Sequence, residues 1–464
     1  MDRKTLFRIE MKKYLLFLFT LFGCSVGFAQ SFEGTWQGSL TIQGMELPLV
    51  FNLKYDGGWT GNMQSPKQSN AKMPISKIKA SADSIYITVD PIGLSYAGKL
   101  SADKSFIDGQ IKQGGLNAPM KMVRQTASNA VKSIELVRTQ TVNAPYPYDA
   151  LNVNFENTVD KVTLSGTLTS PKEKGRYPAV ILISGSGPSD RNSSFYGHEP
   201  FKVLADYLTR QGIVVLRYDD RGIGESTGDY KLATTGDLSK DALAGLKYLR
   251  KQANVDPKKV GIIGHSEGGL ISLLLAGQRV AGLDFIVSLA GPALKIDSLM
   301  ILQNEAVAKS VNQKVSQQEI QRIKRNYKIA KSDMSTEKAF AEIMANLKDI
   351  PGSQTPEFAD QIGVLITPWY RYFLKIDPVP FIRKIKIPVY AAFGGKDIQV
   401  TAPENAESLT DNLPKNSKSV IKIYPEDNHL FQPAKTGAVA EYPEIPVTLD
   451  PTLLSDISNW IKKL

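Results

Sequence analysis

The chain has 464 residues, of which 42% are hydrophobic, and a formal net charge of +10. This length allows two domains or one large domain with an insertion, and the hydrophobic content supports sizeable cores, which indicates a folded chain. The positive charge is spread along the sequence and is concentrated only in residues 321–328. Because that segment lacks the long basic stripe with interleaved aromatic residues typical of nucleic-acid binding, we interpret it as a solvated helix and expect no nucleic-acid partner.

The first thirty residues have the pattern of an export signal. A basic pair, Lys12-Lys13, precedes an apolar run over residues 14–22, and small residues follow up to Ala29. The run is too short to span a bilayer, so residues 1–30 are predicted to be a signal peptide of a periplasmic or secreted protein without a membrane span. The alternative is a lipoprotein anchored at Cys24, in a sequence similar to a bacterial lipobox. Cys24 is the only cysteine, so the mature domains are expected to hold no disulfide and no thiolate metal site.

Residues 31–125 are predicted to form a small all-β domain. Short alternating segments are separated by Gly, Asp and Asn, as in residues 49–55, which precede the turn Asp56-Gly57-Gly58. Six to eight strands at this spacing indicate a small antiparallel barrel or sandwich. Trp36 and Trp59 are candidates for a sugar-binding or lipid-binding face, but we prefer a structural role because aromatic residues in small β domains more often belong to the core or the rim.

Residues 126–150 have the composition of a linker, and after them apolar strands and helices alternate over residues 151–464. Continuous apolar strands separated by helices imply a mostly parallel sheet covered on both faces. The predicted strands are residues 162–168, 179–183, 213–218, 260–263, 285–289, 389–393 and 419–424. The predicted helices are residues 201–211, 238–252, 269–278 and a C-terminal helix from residue 453.

The alternation stops between about residues 292 and 386, where helical stretches such as 305–328 and 337–347 predominate. Because this insertion follows a strand of the parallel sheet, we predict a helical cap over the carboxyl ends of the strands. Aromatic residues near its end are candidates for a pocket wall, although we prefer ordinary packing between cap and core. They are Trp369, Tyr370, Tyr372 and Phe373.

The segment over residues 260–276 is predicted to be a strand, a tight turn and a helix. The apolar run 260–263 ends in Gly264-His265-Ser266-Glu267-Gly268 and is followed by residues with helix character. G-x-S-x-G in this setting is typical of a nucleophile elbow, in which the serine has a strained backbone and small residues let the strand and the helix approach closely. The sequence therefore predicts Ser266 as a nucleophile.

A serine hydroxyl is a poor nucleophile at neutral pH and needs a base and an orienting acid. The sequence has three histidines. His265 lies within the elbow and is expected to point elsewhere, and His198 precedes the first long helix, which leaves His429 in the loop after the last strand. Asp397 follows the preceding strand and is the preferred acid. Asp427 is its rival, but it is too close in sequence to His429 to lie easily behind the ring.

A reaction at such a serine also needs two donors for the developing oxyanion. One is expected to be the main-chain N–H of Glu267. The other is expected from the loop over residues 184–191, as the N–H of either Ser186 or Gly187, because Pro188 has no N–H.

The glycines at 185–187 and 222–224 do not form a dinucleotide-binding site. The third position of that fingerprint holds Asp190 in the first case and Thr227 in the second. We therefore expect no cofactor, and metal-ligand spacing is absent from the sequence as well. Residues 219–221, Asp-Asp-Arg, are interpreted as a charged network that braces a loop.

The order Ser266, Asp397, His429 around such an elbow resembles the α/β-hydrolase fold over roughly residues 150–464. With its β-rich amino-terminal domain, the chain resembles exported bacterial α/β-hydrolases of the serine esterase and peptidase group. The resemblance implies a carboxylic ester hydrolase that cleaves a small-molecule acyl ester through an acyl-enzyme, with an acylated carbohydrate as one candidate. A serine peptidase of the aminopeptidase or dipeptidyl type is the alternative, and a glycan- or lipid-binding protein with a degenerate hydrolase domain is a third hypothesis. The oligomeric state is left open.

Overall fold

The computed structural model describes residues 31–42, 45–66, 69–113, 116–126, 128–130, 138–310, 312–350 and 352–464. The predicted signal peptide and the alternative lipid site at Cys24 lie outside these residues. The chain divides into two compact units, of which the first runs to about residue 135 and includes Gln354–Gln361, while the second contains the rest. Within the ranges given above, every helix is too short or too polar to cross a bilayer.

The first unit is built on one antiparallel sheet with the strand order β4-β3-β2-β1-β9-β8-β7-β6-β5. The strands are β1 Gly34–Ile42, β2 Met45–Tyr55, β3 Trp59–Ser65, β4 Ser69–Pro74, β5 Lys77–Ala80, β6 Ser84–Val89, β7 Leu94–Leu100, β8 Phe106–Gln113 and β9 Leu116–Arg124. The sheet bends so that β3 approaches β5. The predicted small all-β domain is confirmed, as one barrel-like sheet rather than a sandwich, with nine strands in the described residues where six to eight were expected.

The two tryptophans of this domain lie in or beside the core of the sheet. Trp36 is fully buried, and its indole N–H donates to the main-chain oxygen of Phe32 at 2.8 Å. Trp59 is half-buried and lies edge-on to the ring of Tyr55. The structural interpretation of Trp36 is therefore confirmed, because a side chain enclosed in this core cannot present a binding face.

The second unit contains an eight-stranded sheet with the order β10-β11-β13-β12-β14-β15-β16-β17. The strands are β10 Asp149–Asn157, β11 Val162–Ser170, β12 Tyr177–Ile183, β13 Val214–Tyr218, β14 Val255–His265, β15 Phe285–Leu289, β16 Val389–Gly394 and β17 Val420–Tyr424. Strands β12 to β17 pair in parallel. All residues of β13, β15 and β16 are buried, as strands covered on both faces require.

Two strands at one edge depart from the parallel pattern. Strand β10 pairs antiparallel with β11, and β11 pairs antiparallel with β13. Strand β10 was not predicted, and it begins at Asp149, inside the predicted linker. Its residues are mostly exposed and include asparagine, aspartate and glutamate, which have low β propensity, so its sequence lacks the apolar run of the central strands.

Five helices lie between or after these strands outside the cap. They are α1 Pro200–Arg210, α2 Thr235–Leu249, α3 Glu267–Gly277, α10 Ala402–Asn412 and α11 Pro451–Lys463, with α4 to α9 assigned to the cap below. Helix α1 packs against α11, and α3 packs against both β14 and β15. The predicted alternation of strands and helices is confirmed, with ends that differ from the prediction by up to three residues, except that β14 begins five residues before the predicted apolar run.

The insertion between β15 and β16 is helical, as predicted. Its helices are α4 Ile296–Ser310, α5 Gln317–Ala330, α6 Thr336–Leu347, α7 Pro356–Gly363, α8 Pro368–Phe373 and α9 Val379–Ile382. The prediction of one helix over residues 305–328 is wrong, because α4 ends at Ser310 and α5 begins anew. Ser316 caps α5 in a reciprocal pair with Glu319, whose N–H donates to the Ser316 hydroxyl while the Ser316 N–H donates to the Glu319 carboxylate.

Candidate active site

Ser266 occupies the sharp turn between strand β14 and helix α3. Its backbone has φ 54° and ψ −117°, a left-handed conformation that costs energy for any residue other than glycine. Its N–H donates to the main-chain oxygen of Leu289 on the neighbouring strand at 2.8 Å. The turn therefore has the strained geometry expected of a nucleophile elbow, held in place by the parallel sheet.

The glycines on either side of Ser266 are required by the close approach of the backbone. A Cβ at Gly264 would lie 1.9 Å from the main-chain oxygen of Gly268. A Cβ at Gly268 would lie 2.2 Å from the main-chain oxygen of Ile183, at the end of β12. Real Cβ atoms do not tolerate such distances, so the two glycines allow α3 to leave the sheet directly after the serine.

His429 and Asp397 form a buried acid–imidazole pair. The Nδ1 atom of His429 lies 2.7 Å from Oδ2 of Asp397. The other carboxylate oxygen of Asp397 accepts from the main-chain N–H groups of Gln399 and Val400, at 2.7 and 2.9 Å. The carboxylate is thus fixed by its own loop while it holds one nitrogen of the imidazole ring.

Asp427, the rival acid, makes no hydrogen bond to the imidazole ring of His429, whose Nδ1 atom is paired with Asp397. It is buried, and its Oδ2 atom has no hydrogen-bond partner among the described residues. Burial, with the nearby charges of Asp450 and Glu426, raises the pKa of Asp427 to about 7. The structure therefore brings Asp397, and not Asp427, to the candidate base.

The loop that carries His429 is fixed from two sides. The side-chain oxygen of Asn428 accepts from the N–H groups of Leu430 and Gln432 at 2.9 and 3.0 Å. The main-chain oxygen of His429 accepts from Nε2 of His265 at 2.8 Å. The ring of His265 thus points toward the loop of the candidate base, a contact that the sequence analysis did not predict. The adjacency of His265 to Ser266 was the only sequence signal that pointed to it.

Ser266 and His429 line the same cavity, which has a volume of about 410 Å³. Its other lining residues are Gly185, Ser186, Gly187, Pro188, Ser189, Ser193, Ser194, Phe195, His265, Pro292, Leu299, Met300, Gln303, Trp369, Phe373, Gln399, Val400 and Leu430. The hydrogen bonds of the described residues do not include one between the Ser266 hydroxyl and the imidazole of His429. In free enzymes such catalytic hydrogen bonds are often long and tighten only when substrate binds.

The loop after β12 lies against the nucleophile. A Cβ on Gly185 would be 3.2 Å from the Cβ of Ser266. The N–H of Gly187 donates to the hydroxyl oxygen of Tyr230 at 2.9 Å, so this amide is already engaged. Among the described residues the Ser186 N–H has no such acceptor. Of the two candidate donors in this loop, Ser186 is therefore the better placed to serve an oxyanion.

A network of charged residues braces the same loop. The hydroxyl of Ser184 and the N–H of Ser189 both donate to the carboxylate of Asp220, at 2.9 and 3.0 Å. Burial raises the pKa of Asp220 to about 8, although these two donors oppose the shift. Asp219 pairs with Arg191 at 2.6 Å. The bracing role inferred for these carboxylates is confirmed by the contacts.

Arg221 extends the bracing away from the cavity. Its guanidinium pairs with Asp241 at 2.7 Å and with Asp160 at 2.8 Å. Asp241 lies on α2 and Asp160 lies just before β11. The third member of the predicted charged network thus connects a helix and a strand turn without contacting the candidate nucleophile.

Within the part of the chain that the structure describes, no Asp, Glu, Lys or Arg side chain lines the cavity. Glu225, a carboxylate in the loop after β13, lies outside the cavity lining. Its Oε2 atom accepts from the hydroxyl of Ser165 and contacts Arg191, and its side chain is 72% exposed. The described residues also contain no cluster of His, Cys, Asp and Glu able to hold a metal ion.

The sequence of the chain is similar to those of a known family and of several known proteins. The family model described as serine aminopeptidase, S33, matches residues 198–432. Esterase EstD of Thermotoga maritima is 28% identical over 307 residues, which are 65% of this chain and 66% of EstD. Dipeptidyl peptidase 8 of mouse is 34% identical over 139 residues, 27% of this chain and 15% of that protein. The chain thus spans slightly less than two thirds of EstD and a small part of the peptidase.

Two solved structures align with 71% of this chain. The esterase Pf2001 of Pyrococcus furiosus aligns with a TM-score of 0.42 and 19% identity, covering 71% of this chain and 97% of that one. A hypothetical protein from Pseudomonas aeruginosa aligns with a TM-score of 0.46 and 15% identity, covering 71% of this chain and 99% of that one.

Proposed function

The chain belongs to the serine aminopeptidase, S33 family, and from this premise we propose that it is a serine esterase that hydrolyses carboxylic esters. The observation that carries the proposal is the cavity lined by both Ser266 and His429, whose described lining contains no Asp, Glu, Lys or Arg. An aminopeptidase or a dipeptidyl peptidase must hold a charged amino terminus, and burying that group without a carboxylate partner is costly. A neutral ester has no such requirement. The similarity to EstD over 65% of the chain supports the same choice.

The proposed catalytic triad is Ser266, His429 and Asp397. The imidazole of His429 removes the proton of the Ser266 hydroxyl as the oxygen attacks the ester carbonyl, while Asp397 at Nδ1 orients the ring and stabilises the imidazolium. The same imidazolium then protonates the leaving alcohol, which leaves an acyl-enzyme. A water molecule deprotonated by His429 attacks this acyl group, and the carboxylic acid and the free serine are released.

The proposed oxyanion donors are the main-chain N–H groups of Glu267 and Ser186. Glu267 is the first residue of α3, so its N–H lies at the positive end of the helix dipole. Gly187 is left out because its N–H donates to Tyr230. Two fixed donors in a cavity of limited volume stabilise a developing alkoxide more than water does, because they need no reorganisation during the reaction.

The proposal is tested by comparing p-nitrophenyl acyl esters with aminoacyl p-nitroanilides on the purified protein. We expect hydrolysis of the esters, labelling of Ser266 by a fluorophosphonate, and a loss of turnover on the order of a millionfold in Ser266→Ala. Cleavage of the anilides alone would replace the esterase by the peptidase. A folded wild-type protein that neither reacts with the probe nor turns over would favour the third hypothesis, a binding protein with a degenerate hydrolase domain.

The finer identity of the substrate and the location are part of the same proposal. Uncharged polar side chains in the cavity, such as Gln303, Gln399 and Ser189, suit the hydroxyl groups of an acylated carbohydrate. Faster hydrolysis of acetylated sugars than of simple alkyl acetates would support this choice, and the reverse order would contradict it. Export is supported by the basic and apolar pattern of residues 12–22. Recovery of a protein whose amino terminus begins after Ala29 from the periplasm or the medium would test it.

A further inference from the structure

Glu267, the residue after the proposed nucleophile, has a buried carboxylate whose partners come from three separate segments. Its side chain accepts from the hydroxyl of Thr235 at 2.6 Å and from the indole N–H of Trp369 at 2.9 and 3.0 Å. The side chain of Ser186 is close enough to oppose the rise that burial causes in the pKa of this carboxyl group. Glu267 is only 1% exposed. These partners are all neutral, so hydrogen bonds rather than a counter-ion compensate the burial of this carboxyl group.

Two of these partners line the cavity, whereas Glu267 itself does not. Trp369 lies on cap helix α8, and its ring stacks on Phe373 with centroids 5.0 Å apart and an interplanar angle of 16°. Ser186 lies in the loop proposed to supply an oxyanion donor. The carboxylate is therefore placed behind the cavity, where it connects one wall formed by the cap with the loop beside the nucleophile.

We propose that Glu267 is a positioning residue. Its carboxylate fixes the Trp369 side chain in the cavity wall through the indole N–H, and it fixes the loop after β12 through the Ser186 hydroxyl. The kinetic part of this inference rests on the proposed esterase function. The side chain acts separately from the main-chain N–H of Glu267, so a substitution can remove the carboxylate and leave the proposed oxyanion donor in place.

Glu267→Gln removes this arrangement with little change in volume. The carboxylate offers two oxygens to the donors of Thr235 and Trp369 and to the nearby Ser186 hydroxyl, whereas the amide offers one oxygen and presents its own N–H groups to the remaining donors. At least one partner then loses its acceptor in a buried site, which is unfavourable. We expect kcat/KM to fall on the order of 10- to 100-fold, because small displacements of positioning groups strongly lower the rate.

Variants of the two partners separate the two effects. Trp369→Phe keeps an aromatic ring but removes the indole N–H, and we expect KM to rise about fivefold with little change in kcat, as for one lost hydrogen bond. Ser186→Ala is expected to lower kcat about fivefold with little change in KM. In Glu267→Gln/Trp369→Phe the two effects on KM should not add, because both substitutions remove the same contact.

The matched control is Trp460→Phe on helix α11. This substitution removes an indole N–H that donates to the main-chain oxygen of Lys418 at 2.7 Å. We expect kcat and KM of this variant to stay within about twofold of the wild-type values, since neither Trp460 nor Lys418 lines the cavity. Glu225→Gln is the control for the carboxylate, because its side chain is 72% exposed and lies outside the cavity lining.

Tryptophan fluorescence tests the contact without any substrate. The chain has four tryptophans, and the difference between the wild-type and Trp369→Phe spectra isolates Trp369. The difference between the spectra of Glu267→Gln and of Glu267→Gln/Trp369→Phe isolates Trp369 in the variant. Its emission maximum should be shifted from the wild-type value, because the indole N–H has lost its carboxylate acceptor. Failure of the wild-type protein to hydrolyse esters would refute the proposed function, whereas an unshifted Trp369 emission would refute the positioning contact.

The inference is overturned if Glu267→Gln folds and retains both the wild-type kinetic constants and the wild-type Trp369 emission. If Glu267→Gln does not fold, the two partner variants decide. An unchanged KM in Trp369→Phe together with an unchanged kcat in Ser186→Ala would then show that the carboxylate serves stability alone.

Discussion

His265 Nε2 lies 2.8 Å from the main-chain oxygen of His429, although the two residues are 164 positions apart in the chain. A carbonyl oxygen only accepts, so Nε2 of His265 carries a proton. Burial lowers the pKa of His265 to about 4, which keeps the ring neutral at neutral pH. The residue before the proposed nucleophile thus holds the loop of the proposed base, and this contact brings the two ends of the catalytic unit together.

Replacing His265 by Ala should therefore impair catalysis through the position of His429. The carbonyl of His429 loses its donor and the loop gains freedom, so we expect kcat to fall on the order of 10- to 100-fold with a small change in KM. Steady-state kinetics on a p-nitrophenyl ester, with the thermal unfolding curve as a control for folding, measures the effect. A folded variant with wild-type kcat would show that other contacts of the loop suffice.

Asp397→Asn should be far more damaging than Asp427→Asn. The amide that replaces the Asp397 carboxylate cannot stabilise the imidazolium and favours the wrong tautomer of His429, so we expect kcat to fall on the order of 10⁴-fold. Asp427 makes no hydrogen bond to the imidazole ring, and its amide variant should retain kcat within about threefold, because it removes no hydrogen bond to the reacting groups. A large loss of kcat in Asp427→Asn with normal turnover in Asp397→Asn would reverse the assignment.

Gly268→Ala should strongly destabilise the hydrolase unit. The added Cβ would lie 2.2 Å from the main-chain oxygen of Ile183, and backbone atoms on both sides cannot yield easily. We expect a loss of about 3 kcal/mol or more in the free energy of unfolding, or no folded protein. Gly363→Ala is the matched control, since a Cβ there meets nothing within 4 Å. Denaturant unfolding compares them, and equal midpoints would contradict the packing argument.

Tyr230→Phe distinguishes the two candidate oxyanion donors of the loop after β12. It removes the hydroxyl that accepts from the Gly187 N–H. If Ser186 is the donor, the loosened loop should lower kcat about fivefold, as for one lost hydrogen bond, and leave KM nearly unchanged. An unchanged or higher kcat would instead favour Gly187, because its N–H would be released for the oxyanion. Single-turnover acylation kinetics isolates the affected step.

Acid should destabilise the fold through His198. Burial, aided by the charge of Arg138, lowers the pKa of His198 to about 4 from an ordinary value of 6.5. Between these pH values the unfolded chain binds a proton that the folded protein does not, so stability falls as pH falls, by up to about 3 kcal/mol for this group. In His198→Gln this contribution is absent. The free energy of unfolding measured at pH 7 and pH 4.5 should therefore drop less in the variant, and parallel pH profiles would contradict the prediction.

The elbow and the alternation of strands and helices could be predicted from the sequence because their signals are local. Gly264 and Gly268 stand at the spacing that a strand, a tight turn and a helix require, and the structure gives Ser266 the left-handed φ of 54° that this motif implies. Strand β15, Phe285–Leu289, has the predicted bounds because all five residues are buried and apolar or small. Strand β10 was not predicted, because an exposed edge strand has no continuous apolar run.

The partners of the site were decided by the tertiary structure alone. Glu267 meets Trp369 across 102 residues, and His265 meets His429 across 164. Sequence order made Asp397 the preferred acid, but its 2.7 Å contact with the imidazole depends on how two loops pack at one edge of the sheet. Hydrogen bonds between distant segments depend on how whole helices and strands pack. No local pattern in the sequence indicates them. The sequence by itself thus determined the nucleophile turn and the fold class, and the folded structure determined which buried groups support them.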